Sequence, residues 1–342
     1  REAPLNAQFF NSTLSVKSDS GLCDSNVTQH SGYFKLGDQN KEYFYWFFES
    51  RSDPANDPTV MWLTGGPGCS SMMALLTENG PCWVQKDGTT THNEYSWTEG
   101  HNVIWVDQPP GTGFSKGDYD HDEAGVGKDM YLFLQAFFQE FPQYNKKFFV
   151  TGESYAGHYV PAVTHEIWKR NKKLESGFVT INMEGFAIGN GLTAPEIQYA
   201  YYADMAYQSP DGPYPPTAPP AIGKTAYNIM KVASPVCIEQ IKACQSGKTV
   251  ACETAMVFCQ YTQMVPYQMA GLNPYDMRIK CEVPPLCYDF SGAETFYNDP
   301  DNQKALGVDG KWESCNFVVN KMFSTDWMQH FEDLIPDMLN DG

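Results

Sequence analysis

Ser154 lies in FFVTGESYAGHYVP, residues 148–161, two residues after a glycine that closes an apolar run and just before a segment of helical character. A strand that turns this sharply into a helix holds a serine in strained geometry with its hydroxyl exposed, as a nucleophile requires, and it needs small neighbours so that the backbone can close. Gly152, Ala156 and Gly157 supply them, with Ala156 in the fifth place of a Gly-x-Ser-x-Gly pattern. A serine that merely caps a helix would account for the pentapeptide alone. A second motif argues for chemistry. WLTGGPGCSS, Trp62–Ser71, is another apolar strand, opening into Gly65, Gly66, Pro67 and Gly68. Glycines let backbone N–H groups come close to a developing oxyanion. Two such elbows, each following an apolar strand, are hard to explain by packing alone.

The elements that would position these loops alternate. Extended, β-branched or aromatic runs occur at Glu42–Phe48, Thr59–Leu63, Asn102–Asp107, Lys147–Thr151 and Ile181–Ile188, each closed by a turn-forming residue. Between the third and fourth, Tyr131, Leu132, Leu134, Phe137, Phe138 and Phe141 recur at helical spacing within Gly125–Phe141. This rhythm predicts an α/β fold with a mostly parallel sheet and helices on both faces. Composition divides the chain into a core, 1–194, an insertion, 195–300, and a return to the core, 301–342. The insertion is rich in Pro, Tyr, Met and Cys and contains the helix-hostile linker SPDGPYPPTAPP at 209–220.

The 342 residues carry a net charge of −18, which argues against nucleic acid and anionic membrane surfaces as partners. The longest apolar run is far too short to span a bilayer. Ten cysteines with no Cys-x-x-Cys pair point to disulfides rather than a metal site, and so to an oxidising compartment. Cys237, Cys244, Cys252 and Cys259 are spaced for nested bridges in a helical hairpin, and Cys281 and Cys287 flank a short loop. The sequons at Asn11 and Asn26 point the same way, toward a glycoprotein of the secretory route. The opening REAPLNAQFF lacks the features of a signal peptide, which is expected to have been removed.

The chain resembles the serine carboxypeptidases, most closely the carboxypeptidase III group of plants and kinetoplastids. NVTQHSGYFKL, WLTGGPGCSS, NVIWVDQPPGTGFS, TGESYAGHYVP, FAIGNGLTAPEIQY, LCYDF and ESCNF follow in the family's order along the whole chain. The resemblance implies an α/β-hydrolase fold with a disulfide-bonded helical insertion over the active site. It implies hydrolysis of C-terminal peptide bonds at acidic pH through an acyl-enzyme, in a lysosomal, vacuolar or secreted protein, with no cofactor and no metal. Ser154 matches the nucleophile, and the N–H groups of Gly66 and Tyr155 match the oxyanion hole. Glu153 and Glu78 match the acids that bind the peptide's terminal carboxylate, aided by Trp62 and Gly65, and Thr64 stands where many members have Asn. Carboxyl groups packed together cannot all ionise, so one is held neutral as a donor and binding should weaken as pH rises. The family pattern pairs Cys69 with Cys315, Cys237 with Cys259, Cys244 with Cys252, and Cys281 with Cys287, leaving Cys23 and Cys82 to pair with each other.

The remaining triad members are the difficulty. In this fold the acid and the histidine follow the serine in the chain. His158, His165 and His330 qualify by order. The first two share the helix after the elbow, and His330 falls in TDWMQHFEDLIPDML, Thr325–Leu339, read as an amphipathic helix with this histidine at the surface. In the family the acid follows a strand after such a helix and the histidine comes later, so both are expected outside the residues ending in LNDG. The final sheet strands are expected to be missing with them. The readings left open are a carboxypeptidase, an acyltransferase on the same fold, and an inactive peptide-binding or stabilising partner. A second chain completing the fold and a homodimer also remain open.

Overall fold

The computed structural model describes residues 8–37, 39–208 and 219–341; the chain's opening and 209–218 of the proline segment lie outside them. The residues form two compact units: 1–192, 290–323 and 331–342, and 193–289 with 324–330.

The first unit is built on a mixed sheet whose long strands are β1 (Gln29–Lys35), β2 (Lys41–Phe48), β3 (Thr59–Thr64), β4 (Asn102–Val106), β5 (Phe148–Glu153) and β6 (Met183–Gly189), in the spatial order β1-β2-β4-β3-β5-β6. β1, β2 and β4 pair antiparallel, and β4, β3, β5 and β6 pair parallel. Helices α1 (Ser71–Thr77), α2 (Glu123–Glu140) and α3 (Ala156–Lys172) follow β3, β4 and β5. This is the α/β-hydrolase arrangement. β2 reads as a continuous apolar run because both its faces are covered. Tyr45 and Phe47 pack on Phe137 of α2, while Trp46 and Phe48 join Trp105, Tyr297 and the buried side of α1.

Two boundaries differ from the sequence pattern for local reasons. β1 is not among the predicted strands, because His30, Ser31 and Gly32 break its apolar alternation. It forms because the backbone pairs with β2 throughout, and Gly32 lets Ser15 approach so closely that an added Cβ would lie 2.0 Å from its carbonyl. β6 starts at Met183 rather than Ile181, because the Asn171 side chain of α3 captures both the N–H and the C=O of Ile181.

The predicted helix over Thr325–Leu339 is corrected. Residues 324–328 form turns and 324–330 belong to the second unit, a 3₁₀ turn spans Glu332–Leu334, and only Ile335–Asn340 is helical. Pro336 accounts for this, since it is accommodated in a helix's first turn and disrupts an interior. The boundary of the first unit also falls at Phe290, ahead of the 300 expected from composition. Helix Ser291–Tyr297 buries Ala293, Phe296 and Tyr297 in the core shared with α1.

The second unit, taken by itself, is helical: α4 (Pro195–Tyr207), α5 (Lys224–Gln245) and α6 (Thr249–Cys259). Bridges Cys237–Cys259 and Cys244–Cys252 tie α5 to α6, and Cys281–Cys287 closes a loop. In the first unit Cys23 joins Cys82 and Cys69 joins Cys315. No described helix is long and apolar enough to cross a membrane.

One buried charge cluster ties β2 to α2. Lys41 Nζ lies 2.6 Å from both Asp120 and Asp129, and the Tyr43 hydroxyl donates to Asp129 at 2.5 Å. Burial, then repulsion from Asp129, holds Asp120 above the usual carboxylate range. A raised carboxyl contributes stability at low pH that is lost as pH rises through its folded value. Lys41→Met should therefore cost about 3–5 kcal/mol near pH 7, where two carboxylates are left facing each other, and less near pH 4. Urea unfolding at both pH values measures the difference.

Candidate active site

Ser154 sits between β5 and α3 with φ +64°, the left-handed conformation that a non-glycine residue rarely adopts. Its backbone is fixed from β6: the Ser154 N–H donates to Gly189 O at 2.9 Å, and its carbonyl accepts from Gly157 and Leu192 N–H, each at 3.0 Å. The small neighbours are required by contact. A Cβ on Gly152 would lie 2.5 Å from Leu63 O and 2.6 Å from the Ala156 methyl, and one on Gly157 would lie 2.4 Å from Leu192 O.

The loop after β3 presses on this elbow. A Cβ on Gly65 would sit 2.4 Å from Tyr155 N and 2.7 Å from Glu153 O, so only glycine allows the two backbones to meet. Gly66 has φ +118°. The Gly65–Gly66 peptide is oriented by Cys69, whose N–H donates to Gly65 O at 3.1 Å, so that the Gly66 N–H points the other way, as trans geometry demands. Tyr155 is buried, with its ring against His158, Tyr159 and Phe323.

Residues distant in sequence brace the same loop. Asn320 Nδ2 donates to Gly66 O at 3.1 Å and to Pro67 O at 3.3 Å. Ser70 caps α1 and donates to Asp107 Oδ1 at 2.6 Å, while Trp312 Nε1 donates to Ser70 at 3.1 Å. Asp107 is fully buried, and burial pushes it up to about 6 against the opposing hydrogen bonds. Asn320, Asp107 and Ser70 were not singled out in the sequence. Their types are unremarkable there, and only the ESCNF motif hinted that the segment after Cys315 mattered.

The two acids come together. Glu78 ends α1 and hydrogen-bonds with the side chain of Glu153, the residue before the serine. Glu78 is open to solvent at its surface, yet enough protein surrounds it that burial, followed by repulsion from Glu153 and the bond between them, pushes it up to about 8. Trp62 Nε1 donates to Thr64 Oγ1 at 2.9 Å, and the Trp62 ring packs edge-on to Trp97 at 5.1 Å. Thr64 N–H donates to Ser71 Oγ. A hydroxyl that accepts the indole N–H keeps its own proton to donate.

The histidines are placed differently from one another. His158 is wholly buried, packed between Tyr155 and Phe331, and burial lowers it to about 3, so it stays neutral. His165 is half-buried beside Trp168, and His330 is half-buried in the second unit. Asn11 and Asn26 are exposed.

The serine carboxypeptidase family model matches residues 21–342. The chain belongs to the serine carboxypeptidase family. It is 44% identical over 321 residues to "Serine carboxypeptidase-like 47" of Arabidopsis thaliana, covering 92% of this chain and 61% of that protein. Against "Carboxypeptidase Y" of Candida albicans identity is 40% over 343 residues, 97% of this chain and 61% of the relative. The chain thus spans about three fifths of the length of these relatives. Among solved structures, the prohormone-processing carboxypeptidase Kex1 from Saccharomyces cerevisiae superimposes with a TM-score of 0.76 at 27% identity, over 96% of this chain and 74% of that one.

Gly65→Ala should separate the two elbows and lower stability by about 1–3 kcal/mol. Gly100→Ala is the control, since a Cβ there meets nothing within 4 Å. Thermal unfolding of the pair tests whether backbone contact, rather than glycine content, is the constraint.

Proposed function

We propose that this chain carries the nucleophile, oxyanion hole and carboxylate-recognition site of a carboxypeptidase that releases C-terminal residues from peptides at acidic pH. The observation that carries the reading is the Glu78–Glu153 pair beside the elbow serine. An endopeptidase or esterase has no need of two carboxyls that share protons next to its nucleophile. An exopeptidase does, because a neutral carboxyl can donate to the substrate's terminal carboxylate where an ionised one would repel it.

In this reading Ser154 Oγ attacks the last peptide carbonyl, and the N–H groups of Gly66 and Tyr155 stabilise the oxyanion. The C–N bond then breaks, the terminal amino acid leaves with the proton, and water hydrolyses the acyl-Ser154 ester. Thr64, Trp62 and Gly65 complete the carboxylate pocket. His158 is neutral and held in aromatic packing, so the reading assigns the base and its acid elsewhere. Peptide C-termini are the substrates. The five disulfides support passage through the secretory pathway to a vacuole, a lysosome or the exterior, with glycans on Asn11 and Asn26.

Two measurements test this. Ser154→Ala should abolish hydrolysis of an N-blocked dipeptide near pH 5; turnover that survives the substitution rejects the assignment. Affinity for a free terminal carboxylate should hold below pH 7 and fall as pH rises through about 8, because Glu78 then loses its proton. A C-terminal amide should show no such fall, and Glu78→Gln should flatten the profile.

A further inference from the structure

Glu78 begins an excursion of the chain that returns at Trp97, the ring packed against Trp62. The carbonyls that follow α1 are each claimed within this excursion. Asn79 O accepts from Trp97 N–H at 3.0 Å, Gly80 O accepts from Asn93 Nδ2 at 2.8 Å, and Pro81 O accepts from Asn93 N–H at 3.0 Å. Asn93 is wholly buried. At the centre of this arrangement lies Arg51, from the loop after β2, with its side chain only 12% exposed.

The Arg51 guanidinium uses its whole fork. Nε donates to Asp24 at 2.7 Å; Nη1 donates to Asn93 O at 2.7 Å and Glu99 at 2.6 Å; Nη2 donates to Pro81 O at 2.8 Å and lies 3.1 Å from His92 Nδ1. Its backbone N–H donates to Thr98 O at 2.7 Å. Asp24 follows Cys23, which is bridged to Cys82, so a covalent link and an ion pair converge on the same turn. Pro81, just past Glu78, and Asn93 and Glu99, on either side of Trp97, are thereby held to one planar cation, a task that a lysine's point charge cannot perform.

We propose that Arg51 is a positioning residue for recognition of the peptide's terminal carboxylate: it clamps the excursion so that Glu78 stays against Glu153 and Trp97 against Trp62. This inference rests on the carboxypeptidase reading above. Asp24, Glu99 and His92 are the titratable groups facing Arg51, and Glu153 faces Glu78.

The test uses Arg51→Lys, which leaves Asp24 paired with a cation, and the double variant Asp24→Asn/Arg51→Gln, which leaves no buried charge alone. Carbon-13 NMR follows the Glu78 carboxyl through pH, and calorimetry near pH 5 measures an N-acetylated dipeptide and its C-terminal amide. In folded variants the Glu78 midpoint should drop toward the usual carboxylate range, and affinity for the free acid should fall about tenfold with the amide unchanged. Variants that only melt earlier, with Glu78 titrating and the acid binding as before, overturn the proposal. If the unsubstituted chain does not favour the acid over the amide, the carboxypeptidase reading fails instead. The Glu78 titration then still decides whether Arg51 holds the pair.

Discussion

Three strand ends meet at a separation that leaves no room for side chains, and the rest of the first unit is arranged around that contact. Gly65 touches the backbone of Tyr155, Gly152 touches Leu63 and Ala156, and Gly157 touches Leu192. Adjacent parallel strands place β3, β5 and β6 side by side in register, so their carboxyl ends reach the same level. The left-handed Ser154 is one consequence, held by its N–H bond to Gly189 O and by the N–H groups of Leu192 and Gly157 that its carbonyl accepts, rather than by its own preference. Strain of this kind persists only where surrounding structure over-determines it.

That over-determination comes from far along the chain. Asn320 and Cys315 secure the loop after β3 from one side, and Ser70, Asp107 and Trp312 secure it from beneath. Arg51 does the equivalent for the excursion that carries Glu78. Polar groups dominate these braces, because a hydrogen bond fixes direction where apolar packing fixes only proximity. The cost is that each buried polar partner must be satisfied, which accounts for the fully used fork of Arg51 and the shared oxygens of Asp107.

The acids divide by environment. Glu78 is driven up by burial beside a second carboxyl, Asp107 by burial against several hydrogen bonds, and Asp120 by burial next to Asp129. All three retain protons at pH values where an isolated carboxyl would have lost them.

The strands at 42–48, 59–63 and 102–107, the helix at 125–141 and both glycine elbows were legible in the sequence, because apolar periodicity and missing side chains are local properties. The family order of motifs drew attention to Ser154, Gly66, Glu153 and Glu78, which the structure places around one elbow. β1 was not, since its register depends on a neighbouring strand, nor was the broken helix at 325–339, where Pro336 confines helical geometry to the last turns. By itself the sequence determined which residue types could do acyl chemistry and where the strongly periodic strands and helices of the first half would lie. Only the tertiary structure decided that Asn320 and Arg51 brace the two loops and that His158 is sealed in the core. Each depends on a long-range contact that no local pattern encodes.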